Sequence, residues 1–97
     1  MSILTSMALT SCSDNIENYS ISITNNYFEP LYNIKIDDIQ FDSLLVNQTS
    51  ITKLIEKGYY EFTCETESNL VFKAKIVVKG SVDRVKLIVN EDGKLTK

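Results

Sequence analysis

The chain has 97 residues, 43% of them hydrophobic and 24% charged, with a formal net charge of −3. This is the length of one domain and an ordinary globular composition, and three glycines and one proline argue against a long disordered linker. The ten basic residues are spread along the chain, which gives a nucleic-acid partner no support; no run of about 18 apolar residues offers a transmembrane helix; and the absence of histidine removes the commonest general base and neutral metal ligand.

The N-terminal segment comes first in chain order. An apolar run, Ile3-Leu4 through Met7-Ala8-Leu9, leads into Thr10-Ser11-Cys12 and then the polar Ser13-Asp14-Asn15. An apolar stretch closed by small residues is the core and cleavage site of an export signal. Leu9-Thr10-Ser11-Cys12 resembles the lipobox of bacterial lipoproteins, in which an aliphatic residue and two small residues precede an invariant cysteine. The resemblance implies that the Cys12 thiol receives a diacylglyceryl group and that a signal peptidase cuts between Ser11 and Cys12. Residues 1–11 are then a truncated or atypical lipoprotein signal segment, 12–18 a short tether and 19–97 the exported domain. The protein would sit in the cell envelope, lipid-anchored to a bacterial membrane with its domain outside the cytoplasm; the alternative is a soluble secreted or periplasmic protein. One acyl chain binds membranes marginally, at roughly 0.8 kcal/mol per buried methylene, and two or three anchor stably. Cys12 and Cys64 permit one disulfide in principle, but a lipidated Cys12 is a thioether and leaves Cys64 a lone thiol.

From Asn18 onward the pattern is alternation. Ile21 and Ile23 share one face of the first strand, Asn25-Asn26 breaks it, and Glu29-Pro30 completes a loop, since proline cannot donate to a central ladder. A strand is expected over 31–39, with Tyr32, Ile34 and Ile36 on one face and Asn33, Lys35 and Asp37 on the other. Leu44-Leu45-Val46 is a short apolar piece that stops at Asn47-Gln48, and 51–55 reads equally as a strand or one helical turn. Tyr60, Phe62 and Cys64 share a face, as do Leu70, Phe72, Ala74, Ile76 and Val78, with Lys73, Lys75 and Lys79 opposite. A hairpin looping through Thr66-Glu67-Ser68 would pair Phe62 with Phe72 and Glu61 with Lys73. A tight turn at Gly80-Ser81 would then oppose Ile76 with Val85 and Ala74 with Leu87, and also Lys75 with Lys86. Asn90-Glu91-Asp92-Gly93 ends that strand, leaving 94–97 as an edge piece or a frayed end. Six or seven short strands joined by polar turns predict an all-β fold, a single antiparallel β-sandwich of immunoglobulin-like or transthyretin-like form, with a small β-barrel as the alternative.

Little in the sequence carries chemistry. Asp37, Asp38 and Asp42 supply oxygens of the kind calcium takes, but as successive strand residues Asp37 and Asp38 point to opposite faces and read as a polar strand end. Glu91-Asp92-Gly93 is ordinary turn chemistry. No nucleophile has a recognisable base and three scattered glycines build no phosphate loop, so the chain is not expected to be an enzyme or to hold a cofactor or metal. Cys64, flanked by Phe62 on its strand face, reads as a small buried hydrophobe. Asn25, Asn26, Tyr27 and Phe28 form the candidate ligand loop, since exposed aromatics in loops at the end of a sandwich grip sugar rings and protein partners. The competing structural role has Phe28 plugging the end of the core with Tyr27 covering it. Tyr59, on the face of Lys73 and Lys75, is expected in solvent. Asn18-Tyr19-Ser20 and Asn47-Gln48-Thr49 match the N-glycosylation pattern, and Asp42-Ser43-Leu44 resembles an O-glycosylation acceptor of exported Gram-negative proteins. The expected partners are therefore a membrane, through the N-terminal lipid on Cys12, and a protein or glycan.

Overall fold

The computed structural model describes residues 18–97; the expected signal segment 1–11, the expected lipid-attachment residue Cys12 and the expected tether up to residue 17 lie outside the described residues. Eight strands follow in order: β1 (Asn18–Asn25), β2 (Leu31–Ile36), β3 (Ile39–Phe41), β4 (Lys53–Glu56), β5 (Gly58–Thr66), β6 (Val71–Val78), β7 (Arg84–Val89) and β8 (Leu95–Thr96). They form two open four-stranded sheets, ordered β4-β1-β7-β8 and β3-β2-β5-β6. The fold is an all-β sandwich and not a closed barrel.

The alternating pattern sets which side of each strand is buried. Tyr19, Ile21 and Ile23 of β1, Ile55 of β4 and Val85, Leu87 and Val89 of β7 meet Leu31, Ile34, Ile36, Phe41, Phe62, Cys64, Ile76 and Val78 from the other sheet in one core. Fully burying a side chain of this size contributes about 1.5–3 kcal/mol. Lysines close the two sides of the sandwich. Lys53 Nζ of β4 donates to Gln40 O at 2.6 Å and lies 5.3 Å from the centroid of the Phe41 ring. On the opposite side Lys97 Nζ donates to Val77 O at 3.1 Å.

Four details differ from the sequence expectation. First, the strand expected over 31–39 is a hairpin: β2 and β3 pair antiparallel, with Ile36 opposite Ile39, so Asp37-Asp38 is a two-residue turn with Asp37 at φ 48°. Aspartate tolerates this left-handed conformation better than most residues. Second, the β2–β5 register shifts between Tyr32 and Lys35, with Asn33 at φ 50°. This bulge flips the alternation, so Leu31 is buried where Tyr32 was expected, and Tyr32 faces solvent. Third, β5 and β6 do form the expected hairpin, but Phe62 faces Ala74, Cys64 faces Phe72 and Glu61 faces Lys75. The turn is longer than three residues, with Asn69 at φ 69° and Thr66 N–H bonded to Leu70 O. A slip of two residues leaves every side chain on its expected face.

Fourth, β7 does not pair with β6. It crosses to the other sheet and runs parallel to β1, with Ser20 opposite Arg84, Ile21 opposite Val85 and Ser22 opposite Lys86. The segment 79–83 makes the crossing, Gly80 taking φ 101° while its carbonyl accepts the Tyr19 hydroxyl at 2.6 Å. The crossing avoids the Lys75–Lys86 opposition that the hairpin would have forced. It also lets Ile76 and Val78 face Val85 and Leu87 across the core.

Candidate functional site

Both β1 and β7 run from the end of the sandwich marked by Asn18 to the end marked by Asn25. At the Asn25 end four connections gather: the candidate ligand loop after β1, the turn around Asn47, the β5–β6 turn and the β7–β8 turn. Asn25 organises them. Its side chain is fully buried, and its Nδ2 donates to Glu29 O at 2.9 Å and to Leu44 O and Leu45 O at 3.3 Å each. Its Oδ1 accepts from Tyr27 N at 2.9 Å. The Asn25 backbone adds bonds to Gln48 O and from Asn47 N. A buried carboxamide with this many partners holds two loops in one arrangement.

The structure reverses the two aromatic roles. Tyr27 is buried and its ring stands edge-on to Phe72, centroids 5.0 Å apart, while Phe28 lies over Tyr27 at 4.3 Å and is 66% exposed. Tyr27 is thus the plug and Phe28 the cover. Of the four candidate loop residues, Asn26 and Phe28 face solvent, and Asn25 and Tyr27 build the platform beneath them. Gly93, at φ 82°, closes the cluster from the β7–β8 turn: a Cβ there would lie 2.9 Å from the Phe72 ring. Beside it, the Ser68 hydroxyl donates to Glu29 Oε1 at 2.8 Å and lowers the Glu29 pKa. The Tyr32 hydroxyl donates to Glu67 at 2.9 Å, which raises the tyrosine's pKa.

The other sequence candidates separate in space. Asp37 and Asp38 occupy the β2–β3 turn, whereas Asp42 follows the far end of β3, about 10 Å of strand away at the usual rise per residue. Asp37 Oδ1 instead accepts from Glu61 N at 2.9 Å. Among the described residues no group of three or more His, Cys, Asp or Glu side chains could hold a metal ion. Cys64 is buried and has no disulfide partner among the described residues, and desolvation, with a smaller contribution from the Glu65 charge, pushes its thiol up to about 12. A thiol so protonated is a poor nucleophile and packs as a hydrophobe. Tyr59 stands in solvent at 82% exposure, as its strand face requires. Neighbouring Tyr60 points inward and donates to Glu56 O at 2.7 Å; desolvation, then the Glu56 and Asp37 charges, raise its pKa.

Sequence reading missed a second feature, at the Asn18 end. Lys79, Val82, Arg84, Lys86 and Lys97 line one open groove, and all of its charged side chains are cationic. A neighbouring groove combines Arg84 and Lys86 with the hydroxyls of Ser20, Ser22 and Thr52. The alternation of 83–89 already put Arg84 and Lys86 on one face. Their meeting with Ser20, Ser22 and Lys79 required knowing that β7 crosses sheets. Comparison of the chain with protein families, with curated proteins and with solved structures finds no match.

Proposed function

We propose that this chain is a lipid-anchored protein of the bacterial cell envelope, whose β-sandwich acts by binding or as a structural accessory and catalyses no reaction. The observation that carries the reading is Leu9-Thr10-Ser11-Cys12, placed behind an apolar run and six residues ahead of the first described strand. The missing histidine and the protonated, buried Cys64 thiol support the non-catalytic part, since the commonest general base is absent from the sequence and this thiol is a poor nucleophile. Within the sandwich class, the proposed form is immunoglobulin-like or transthyretin-like. The parallel pairing of β1 and β7, with loops gathered at the ends, supports a two-sheet domain that presents loops to a partner.

The test is metabolic labelling with a fatty-acid analogue in a bacterial host, with Cys12→Ala as control. Label on the wild-type chain and none on the variant is expected. An unlabelled wild-type chain that is exported would overturn the anchor and favour a soluble secreted or periplasmic module for a glycan or protein. Exposed Phe28 on its Tyr27 platform is the feature that favours that second reading.

A further inference from the structure

We infer that the Asn18 end of the sandwich is a docking face for the anionic headgroups of the bilayer that holds the anchor. The inference rests on the proposed lipidation for its setting, and on the charge and shape of this end for its content. Three grooves adjoin here. One carries Lys57, Tyr59 and Lys79, the next Lys79, Val82, Arg84 and Lys86, and the third Arg84 and Lys86 beside Ser20, Ser22 and Thr52. Four cations therefore follow one another around the end. On the sheet's outer face the residues directly opposite Arg84 and Lys86 are Ser20 and Ser22, so the rungs themselves offer no countercharge.

Two exposed side chains suit an interface between water and lipid. Val82 is 68% exposed at the crossing between sheets, and Tyr59 presents a ring with a polar tip. Among the described residues the carboxylates at this end are Glu56, opposite Asn18; Asp83, whose backbone oxygen accepts from Ser20 N; and the Asp37-Asp38 turn near Tyr60. The four cations thus stand against four carboxylates, whereas the Asn25 end is net acidic, with Glu29, Glu67, Glu91 and Asp92 around its turns and Lys94 as their basic neighbour. A domain charged this way lowers its energy by turning the Asn18 end toward an anionic surface.

The chain's connectivity supplies the second argument. β1 starts at this end, six residues after Cys12, and six residues span at most about 20 Å. An anchored Cys12 thus keeps the cations within reach of the bilayer, where attraction acts over a Debye length of about 8 Å at physiological salt. Docking would leave Phe28 and the Asn25 loops pointing away from the membrane.

The experiment uses the full-length chain carrying Cys12→Ala, so that no lipid contributes, and vesicles of phosphatidylglycerol mixed with phosphatidylcholine or of phosphatidylcholine alone. Sedimentation with the anionic vesicles only, weakening as salt rises, is expected. Each of Lys79→Gln, Arg84→Gln and Lys86→Gln should lower the partition about five-fold, the equivalent of about 1 kcal/mol per cation, and Lys94→Gln should not. Thermal unfolding of each variant confirms that folding is intact. Equal binding to neutral vesicles, no binding to anionic ones, an equal loss with Lys94→Gln, or equally tight binding to soluble polyphosphate would overturn the inference. Because Cys12 is absent throughout, failure here and failure of fatty-acid labelling are separate results.

Discussion

Replacing Asn25 by alanine should be among the most damaging single changes to this domain, although the residue is polar and sits in a loop-bearing strand end. The substitution strands the buried Tyr27 N–H and removes the bond to the Glu29 carbonyl, while the Leu44 and Leu45 carbonyls keep their bonds from Leu31 N and Gln48 N. A buried polar group left without a partner costs about 1–3 kcal/mol, while the partly buried Glu29 carbonyl can turn to water. With the lost bonds to the carbonyls added, the expected loss is about 2–3 kcal/mol, a large part of the roughly 4–12 kcal/mol that a domain of this size has. In urea, with a slope of about 1 kcal/mol per molar, the midpoint should fall by about 2 M or more. Asn25→Asp tests the donor specifically. It keeps an acceptor for Tyr27 N–H but sets a carboxylate against three carbonyls, so at neutral pH it should cost at least as much as alanine. The apolar, carbonyl-lined site raises that carboxyl's pKa. Its protonation restores a donor, so the deficit should shrink as pH falls through the raised value. A midpoint shift below about 1 M for Asn25→Ala would refute the reasoning and make the loops independent of the carboxamide.

Two further outcomes follow from single residues. In a Cys12→Ala background, the Cys64 thiol ionises near 9 in the unfolded chain and only at about 12 in the folded one. Between those values the unfolded state has released a proton that the folded state keeps, so stability falls as pH rises. Moving from pH 8 to pH 10 should cost about 1.4 kcal/mol more than in a chain with Cys64→Ala, measured as the difference in urea midpoints; an equal loss in both would place the cause elsewhere. Gly93→Ala should be worse than Gly80→Ala. Both require a positive φ, which costs a residue with a Cβ about 1–2 kcal/mol, but only at Gly93 does the new methyl also meet the Phe72 ring. Equal melting temperatures for the two variants would count against that contact.

The in-and-out pattern of the sandwich was legible wherever strands alternate without interruption, as in Tyr19-Ser20-Ile21-Ser22-Ile23 and Tyr60 to Cys64. It failed where a backbone conformation intervened. Asn33 and Asp37 take left-handed φ values, and each sits where a continuous strand is expected; the first flips Tyr32 outward and the second turns the chain back. Both residue types tolerate that conformation, so the information was present but not distinguishable from an ordinary polar position on a strand. Strand partners were less legible than faces. Gly80-Ser81 has the composition of a tight hairpin, and only the better partner that β7 finds in β1 rules it out. At the candidate loop, Tyr27 and Phe28 differ by one hydroxyl, and which one plugs the core depends on Phe72 arriving from the other sheet.

The crossing of β7 also decides which cations the fold uses for itself. On the outer face of the second sheet, Lys75 stands opposite Glu61, and Lys73 stands opposite Thr63 with Glu61 and Glu65 two positions away on β5. Opposite charges across a rung contribute a few tenths of a kcal/mol to about 1 kcal/mol, so these lysines have partners in their own sheet. Had β7 paired with β6, Lys86 would have faced Lys75 and competed for the same carboxylates. Paired with β1 instead, Arg84 and Lys86 face serines. The first sheet's ladder thus leaves their charge uncompensated, at the end where the chain from Cys12 enters. Replacing them with glutamine should therefore change stability little. A surface charge that the fold does not need for its own stability is available to a partner, and these two lie toward the end of the sandwich where β1 begins.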